Sequence, residues 1–209
     1  MKRTYQIILA ILVAADIVMS IVAAQFLPER VPAHWNIQGE VDRYGSSSEL
    51  TVFFPIFIAT TAVLMIGIAT VKPIGRAFGP AAIAIVGLLV GVHALTLAYA
   101  AGYHLPMTPS IFVLTAIMLG TIGNSMGKIR RNSLYGIRTP WTLASDVVWE
   151  RTHRIGGRLM VAHAFAVAAA AIWLPPWAAF AVLIGGMIAQ CAWGMFYSWR
   201  LANRLGTTS

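Results

Sequence analysis

Charge is what this chain has least of. Only 11% of its 209 residues are Asp, Glu, Lys or Arg, less than half of the roughly 25% usual in soluble domains. So little polarity excludes an ordinary soluble globule, and the 58% hydrophobic content directs the reading to a membrane protein. Cysteine is nearly absent too. Cys191 stands alone, which excludes an intrachain disulfide. Lying in an apolar run, it reads as a small buried hydrophobe. Metal-ligand patterns are scarce. There is no His-Glu-x-x-His, and Glu-x-x-His is represented by Glu150 and His153 alone, whereas a di-iron bundle needs that motif twice plus further carboxylates. No strand-like alternation, internal repeat, linker or separate soluble domain is evident. No motif calls for a cofactor.

What is present is a set of long apolar runs. A spanning helix needs about 20 mostly apolar residues, and six segments qualify: 5–27, 51–71, 80–101, 109–126, 157–174 and 177–198. Pro55, Pro80 and Pro109 fall near helix starts, where a missing N–H is harmless. Pro175 and Pro176 break the last two runs apart. Lys2 and Arg3 precede the first run like the start of a signal peptide, but the run exceeds the usual 7–15 apolar residues and reads as a retained anchor. Backbone polar groups in lipid must be satisfied internally, so the expected fold is an all-α membrane protein, a bundle of six transmembrane helices.

The basic residues alternate loop by loop. Lys2 and Arg3 mark the N-terminal tip. Loop 28–50 sets Arg30 and Arg43 against Glu29, Glu40, Asp42 and Glu49. Lys72 and Arg76 mark the second loop, and the third, Tyr103 to Thr108, has neither Lys nor Arg. Loop 127–156 holds Lys128, Arg130, Arg131, Arg138, Arg151 and Arg154, and the tail holds Arg200 and Arg204. By the positive-inside rule both termini and loop 127–156 are cytoplasmic, and loop 28–50 is extracytoplasmic. The net charge of +8 therefore reads as topology and attraction to anionic lipid, with no direct nucleic-acid binding expected.

Loop 127–156 contains a dense polar island. Thr139 is placed to cap a helix that begins at Pro140, and Ser145-Asp146 offers a second start. An amphipathic cytoplasmic helix is expected within 139–156, ended or bent by Gly156-Gly157. Trp149, Thr152, His153 and Gly156 share one face of it, and Arg151, Arg154 and Arg158 another. Interfacial placement would set Trp141 and Trp149 at headgroup depth and the arginines on lipid phosphates. Glu150 is spaced to pair with Arg154.

Two further groups of polar residues stand out. In loop 28–50, His34, Trp35, Asn36, Glu40, Asp42 and Tyr44 cluster with Gly39 and Gly45. They read as a folded cap, with His34 and Asp42 as a weak alternative metal site. Inside the spans lie Asp16, His93 and His163, with Gln190 near the last. At about 1.5 Å per residue, Asp16 and His93 both fall near the midplane, while His163 and Gln190 form a second layer roughly 10 Å from the inner surface. They read either as hydrogen-bonded glue between helices or as a proton-linked path through Asp16, His93 and His163 toward Asn124 at the cytoplasmic exit. Ala14, Ala15, Gly87, Gly91, Gly120 and Gly123 favour close helix packing.

The motifs themselves resemble a known family. Gly123-Asn124, Asn132, the run Gly136-Ile137-Arg138-Thr139-Pro140-Trp141-Thr142, Trp149, Thr152-His153-Arg154 and Gly156-Gly157 look like the signature of the SdpI family of bacterial integral membrane proteins. The stretch from Leu27 to Ser47 resembles a domain of unknown function often fused ahead of it. The implied division is 1–101 for that region and 102–209 for the SdpI-like region. The family is named for an immunity protein that protects its producer from a secreted killing peptide and holds a transcriptional repressor at the membrane. The resemblance therefore implies protection against, or sensing of, an antimicrobial peptide in the inner membrane. Loop 28–50 would face the toxin. Asn124, Asn132, Gly136, Arg138 to Trp141, Trp149, Glu150 and Thr152 to Arg154 would supply a surface for a cytoplasmic regulator. No catalytic role is expected. The alternatives are a small, often dimeric proton-linked transporter or channel, and a metal-dependent membrane enzyme.

Overall fold

The computed structural model describes residues 1–71 and 78–206. The second-loop residues Lys72 and Arg76 lie outside them. The chain runs α1 (Arg3–Ala23), β1 (Arg30–Trp35), β2 (Val41–Ser46), a π turn (Glu49–Phe53), α2 (Phe54–Val71), α3 (Phe78–Ala100), α4 (Met107–Met126), α5 (Pro140–Ala144), α6 (Asp146–Trp173) and α7 (Pro176–Leu205). Among the described residues, six helices are long and apolar enough to cross a membrane. Their outward faces carry large apolar side chains, such as Ile11, Phe57, Phe165, Trp177 and Ile188, as a hydrocarbon environment allows and water does not.

Helix packing runs in series. α1, α2 and α3 pack on one another, α3 packs on α4, α4 packs on α6 over its most extensive contact, and α6 packs on α7. The α4–α6 contact is close because two glycines meet. A side chain at Gly123 would lie 2.8 Å from the Gly157 carbonyl oxygen, and one at Gly157 would lie 2.5 Å from that of Gly123. Gly87, expected to serve the same purpose, has open space beside it.

Three differences from the sequence-based expectation have simple causes. The fifth span and the amphipathic helix are one continuous helix, α6. Gly156 and Gly157 do not end or bend it, because they face α4, Ile137 and Trp193 and are held by that packing. Loop 28–50 contains a two-stranded antiparallel hairpin with irregular pairing between Pro32 and Trp35. Its alternation is hard to read because Val31 is the one side chain of the two strands that is fully buried. Cys191 is exposed rather than buried, since much of α7 faces outward.

The hairpin sits at the end of the bundle where α1 and α3 finish. Val31 joins Ala23, Leu50 and Leu97 in a small core with Phe54 and Ala100 against it. Trp35 meets Tyr99 edge-on at 5.2 Å. The turn is closed by Asn36 N–H donating to the Glu40 carbonyl and Gly39 N–H donating to that of Asn36, both at 2.9 Å. Gly39 has φ +86°, a value glycine adopts without strain.

Candidate functional site

The signature segment folds at the opposite end, around the start of α6. Asn132 organises the loop before it. Its amide nitrogen donates to the carbonyls of Arg130 and Tyr135, and its oxygen accepts from the N–H groups of Leu134 and Tyr135. Thr139 caps α5 as expected, and Thr142 completes a capping box. The Thr139 hydroxyl donates to Ser198 on α7 at 2.9 Å, and Ser198 donates onward to the Gly194 carbonyl. Thr142 also donates to the Ile137 carbonyl at 2.8 Å. The short helix α5 is thereby tied to α7.

Trp149 and His153 form the centre of this end. Their rings stack at 4.1 Å. The Trp149 indole N–H donates to the Ile129 carbonyl at 2.8 Å. His153 Nδ1 donates to the Trp149 carbonyl, and Nε2 accepts the Ile137 N–H, each at 2.8 Å. One ring nitrogen must donate and the other accept, so the site holds neutral imidazole. Gly136 is required twice over. Its φ is +116°, and a side chain there would lie 2.3 Å from His153 Nε2.

Trp149 therefore does not face lipid. It is 2% exposed, buried among Met126, Ile129, Ile137 and Met160. Thr139, Thr152 and His153 are buried as well, so their side chains face the protein interior. Pro140 is exposed, and Trp141 is half-buried against Val148, Leu201 and Ala202. The surface belongs to Arg138, Glu150, Arg151, Arg154 and Arg158. Glu150 pairs with Arg154 as the spacing suggested. Arg131 reaches the Asp146 carboxylate and the Leu143 carbonyl. Tyr135 lies in the loop, and burial pushes its phenol above the ordinary tyrosine value. Asn124 stands apart from this cluster, exposed in a groove of about 350 Å³ between α4 and α6.

At the hairpin end, His34 Nδ1 lies 2.6 Å from Asp42 Oδ1, both side chains exposed. Asn36 and Glu40 bond across the turn. Arg30 lies over the Tyr44 ring at 5.5 Å. No group of three His, Cys, Asp or Glu side chains is placed to share a metal among the described residues.

Inside the bundle the polar residues meet in two separate pairs. Asp16 Oδ1 and His93 Nδ1 are 2.7 Å apart, both residues fully buried, with the Phe54 ring stacked on the imidazole at 5.1 Å. Asp16 Oδ2 and His93 Nε2 have no hydrogen-bond partner. On α6 and α7, Gln190 donates to His163 Nδ1 at 2.7 Å, and His163 Nε2 donates to the Val182 carbonyl at 3.1 Å. Gly186 leaves room for that ring, since a side chain there would lie 2.2 Å from Nε2. The first pair joins α1 to α3, the second joins α6 to α7, and α4 stands between them in the packing order. Sequence reasoning did not find Ser198 or Phe54. Each lies far along the chain from its partner, and no local spacing signals either contact.

Comparison with known proteins places both ends of the molecule. Residues 128–198 match the SdpI/YfhL protein family, and residues 11–59 match a domain of unknown function, DUF1648. The chain is 30% identical over 165 residues to the immunity protein SdpI of Bacillus subtilis (strain 168), covering 78% of this chain and 79% of the relative. The chain belongs to the SdpI family. It is a multi-pass membrane protein, and the SdpI match spans the loop before α6, all of α6 and much of α7. No solved structure matches it.

Proposed function

We propose that this chain is an immunity protein of the bacterial cytoplasmic membrane, protecting the cell against a secreted antimicrobial peptide. The carrying observation is the similarity to the immunity protein SdpI across 78% of the chain. In this reading both termini and the signature end face the cytoplasm, in keeping with the arginines there, and the hairpin faces outward. The hairpin is a firm platform, since Val31 and Trp35 anchor it to α3 while His34, Asp42 and Tyr44 stay accessible. Those side chains meet the peptide. The exposed Arg138, Glu150, Arg151 and Arg154 offer a charged surface to anionic lipid or a cytoplasmic regulator. The protein acts by binding, without a bond-making step.

Expression in a peptide-sensitive bacterium tests this reading. Survival against a panel of secreted antimicrobial peptides is expected to rise for at least one peptide, and Tyr44→Ala is expected to reduce it. Unchanged sensitivity to every peptide, with the protein present in the membrane, overturns the reading.

A further inference from the structure

The two intramembrane pairs differ in what they leave unfinished. His163 is saturated, one ring nitrogen accepting and the other donating, so that pair is complete as packing. The Asp16–His93 pair is fully buried and keeps an unpartnered atom on each residue, Oδ2 and Nε2. A 2.7 Å contact between a ring nitrogen and a carboxylate oxygen contains a proton. With one proton beyond carboxylate plus neutral imidazole, the pair carries no net charge. Without it, a bare negative charge would lie inside the membrane, which is strongly disfavoured.

The surroundings are asymmetric. Asp16 is seven residues from the Ala23 end of α1 and His93 seven from the Ala100 end of α3, so the hairpin end is about 10 Å away and the other end about 20 Å. On the near side the same helices bury Ser20 and Thr96. On the far side they bury Leu9, Ala82 and Val86 in an apolar core with Ile58 of α2. Phe54 stacks on His93 and also packs at the hairpin root with Val31 and Leu50. It follows directly on a π turn, an irregularity often found where a helix serves function.

We propose that Asp16 and His93 form a one-sided proton-binding site, which holds a proton while the hairpin root is closed and releases it to the hairpin side when the root opens. Phe54 is the cover, since it touches both the imidazole and the root. This site does not extend to His163, and the apolar core beyond it makes it a receptor for a proton rather than a conduit. Deprotonation and opening are linked, because the charged pair is tolerated only when water reaches it. Among the described residues, no other ionisable residue faces the pair from the packed elements. α2 and α4 contain none. α1 has its others, Arg3 and Tyr5, at the far end, and α3 has Tyr99 beyond the pair toward the hairpin. Glu49 on the π turn is engaged with Arg43. Arg30 and the His34–Asp42 contact lie on the exposed hairpin.

Hydrogen exchange of the full chain in lipid nanodiscs, corrected for intrinsic exchange chemistry, reads the opening of the root over residues 47–54. Opening of the wild type is expected to rise with pH, by up to about tenfold per pH unit where one proton is released. Asp16→Asn is expected to flatten that slope. If Asp16→Asn does not fold, His93→Gln is read instead and must move the pH range of the slope. A flat wild-type profile overturns the proposal, as does the same slope in the variant, which would assign it to hairpin groups such as His34. In sealed proteoliposomes, proton flux is expected to equal that of Asp16→Asn, and faster wild-type flux overturns the one-sided site.

Discussion

The signature end and the Asp16–His93 pair are both buried and polar, yet they are built on opposite terms. Around Trp149 and His153 nearly every donor meets an acceptor, Thr152 Oγ1 and the Tyr135 hydroxyl being the unpartnered exceptions. Around Asp16 and His93 half of the polar atoms meet nothing. A saturated network rigidifies and specifies one structure, whereas an unsaturated one stores a cost that another state relieves. The lesson is that burial of polar residues does not by itself mark a working site. Here the family signature supports architecture, and the poorly satisfied pair is the element with a reason to change.

Substitutions sharpen or break this contrast, and the largest effect belongs to Gly136. Gly136→Ala places a side chain at φ +116° and 2.3 Å from His153 Nε2. Backbone strain of about 1–3 kcal/mol adds to the displaced imidazole, for a total loss of about 3 kcal/mol or more. Thermal unfolding in detergent and the yield of folded protein should both fall. An unchanged melting temperature would show that the signature end is less rigid than its hydrogen bonds imply.

Trp149→Phe keeps the stack but removes the indole N–H, leaving the Ile129 carbonyl without its 2.8 Å donor. The expected cost is about 1–3 kcal/mol by chemical denaturation. Asp16→Asn is the matched change in the other region. It leaves the pair without net charge and retains a hydrogen-bonding oxygen toward His93, so stability near neutral pH should change by about 1 kcal/mol or less. A loss as large as that of Trp149→Phe would mean the two regions are held alike and would break the comparison. The smallest effect is at the surface. Glu150→Gln breaks an exposed pair with Arg154 and should cost only about 0.3–0.5 kcal/mol, measured in the same assay.

Much of the candidate site was legible before folding was considered. Thr139 and Pro140 announce a helix start, and the spacing of Trp149, Thr152, His153 and Gly156 puts them on one face, which the fold buries. The depths of Asp16 and His93 along their helices bring them to a common level, and they meet. Other features were hidden for identifiable reasons. Trp149 reads equally well as an interfacial residue, because amphipathic spacing tells which face is apolar and not whether protein or lipid covers it. The hairpin was masked by Pro32 and irregular pairing. The grouping of Asp16, His93 and His163 into one path failed to anticipate α4, which separates the pairs in the packing order.

The sequence by itself determined that this is a chain of six apolar helices with its basic residues clustered between alternate spans, because hydrocarbon demands long runs of apolar side chains and internally bonded backbone. It also determined the local helix starts, which depend on neighbours a few residues apart. Only the tertiary structure decided which polar groups are satisfied. Ser198 completing the Thr139 chain, Phe54 covering His93 and the Gly123–Gly157 contact each join residues distant along the chain, and such pairings follow from how helices pack against one another.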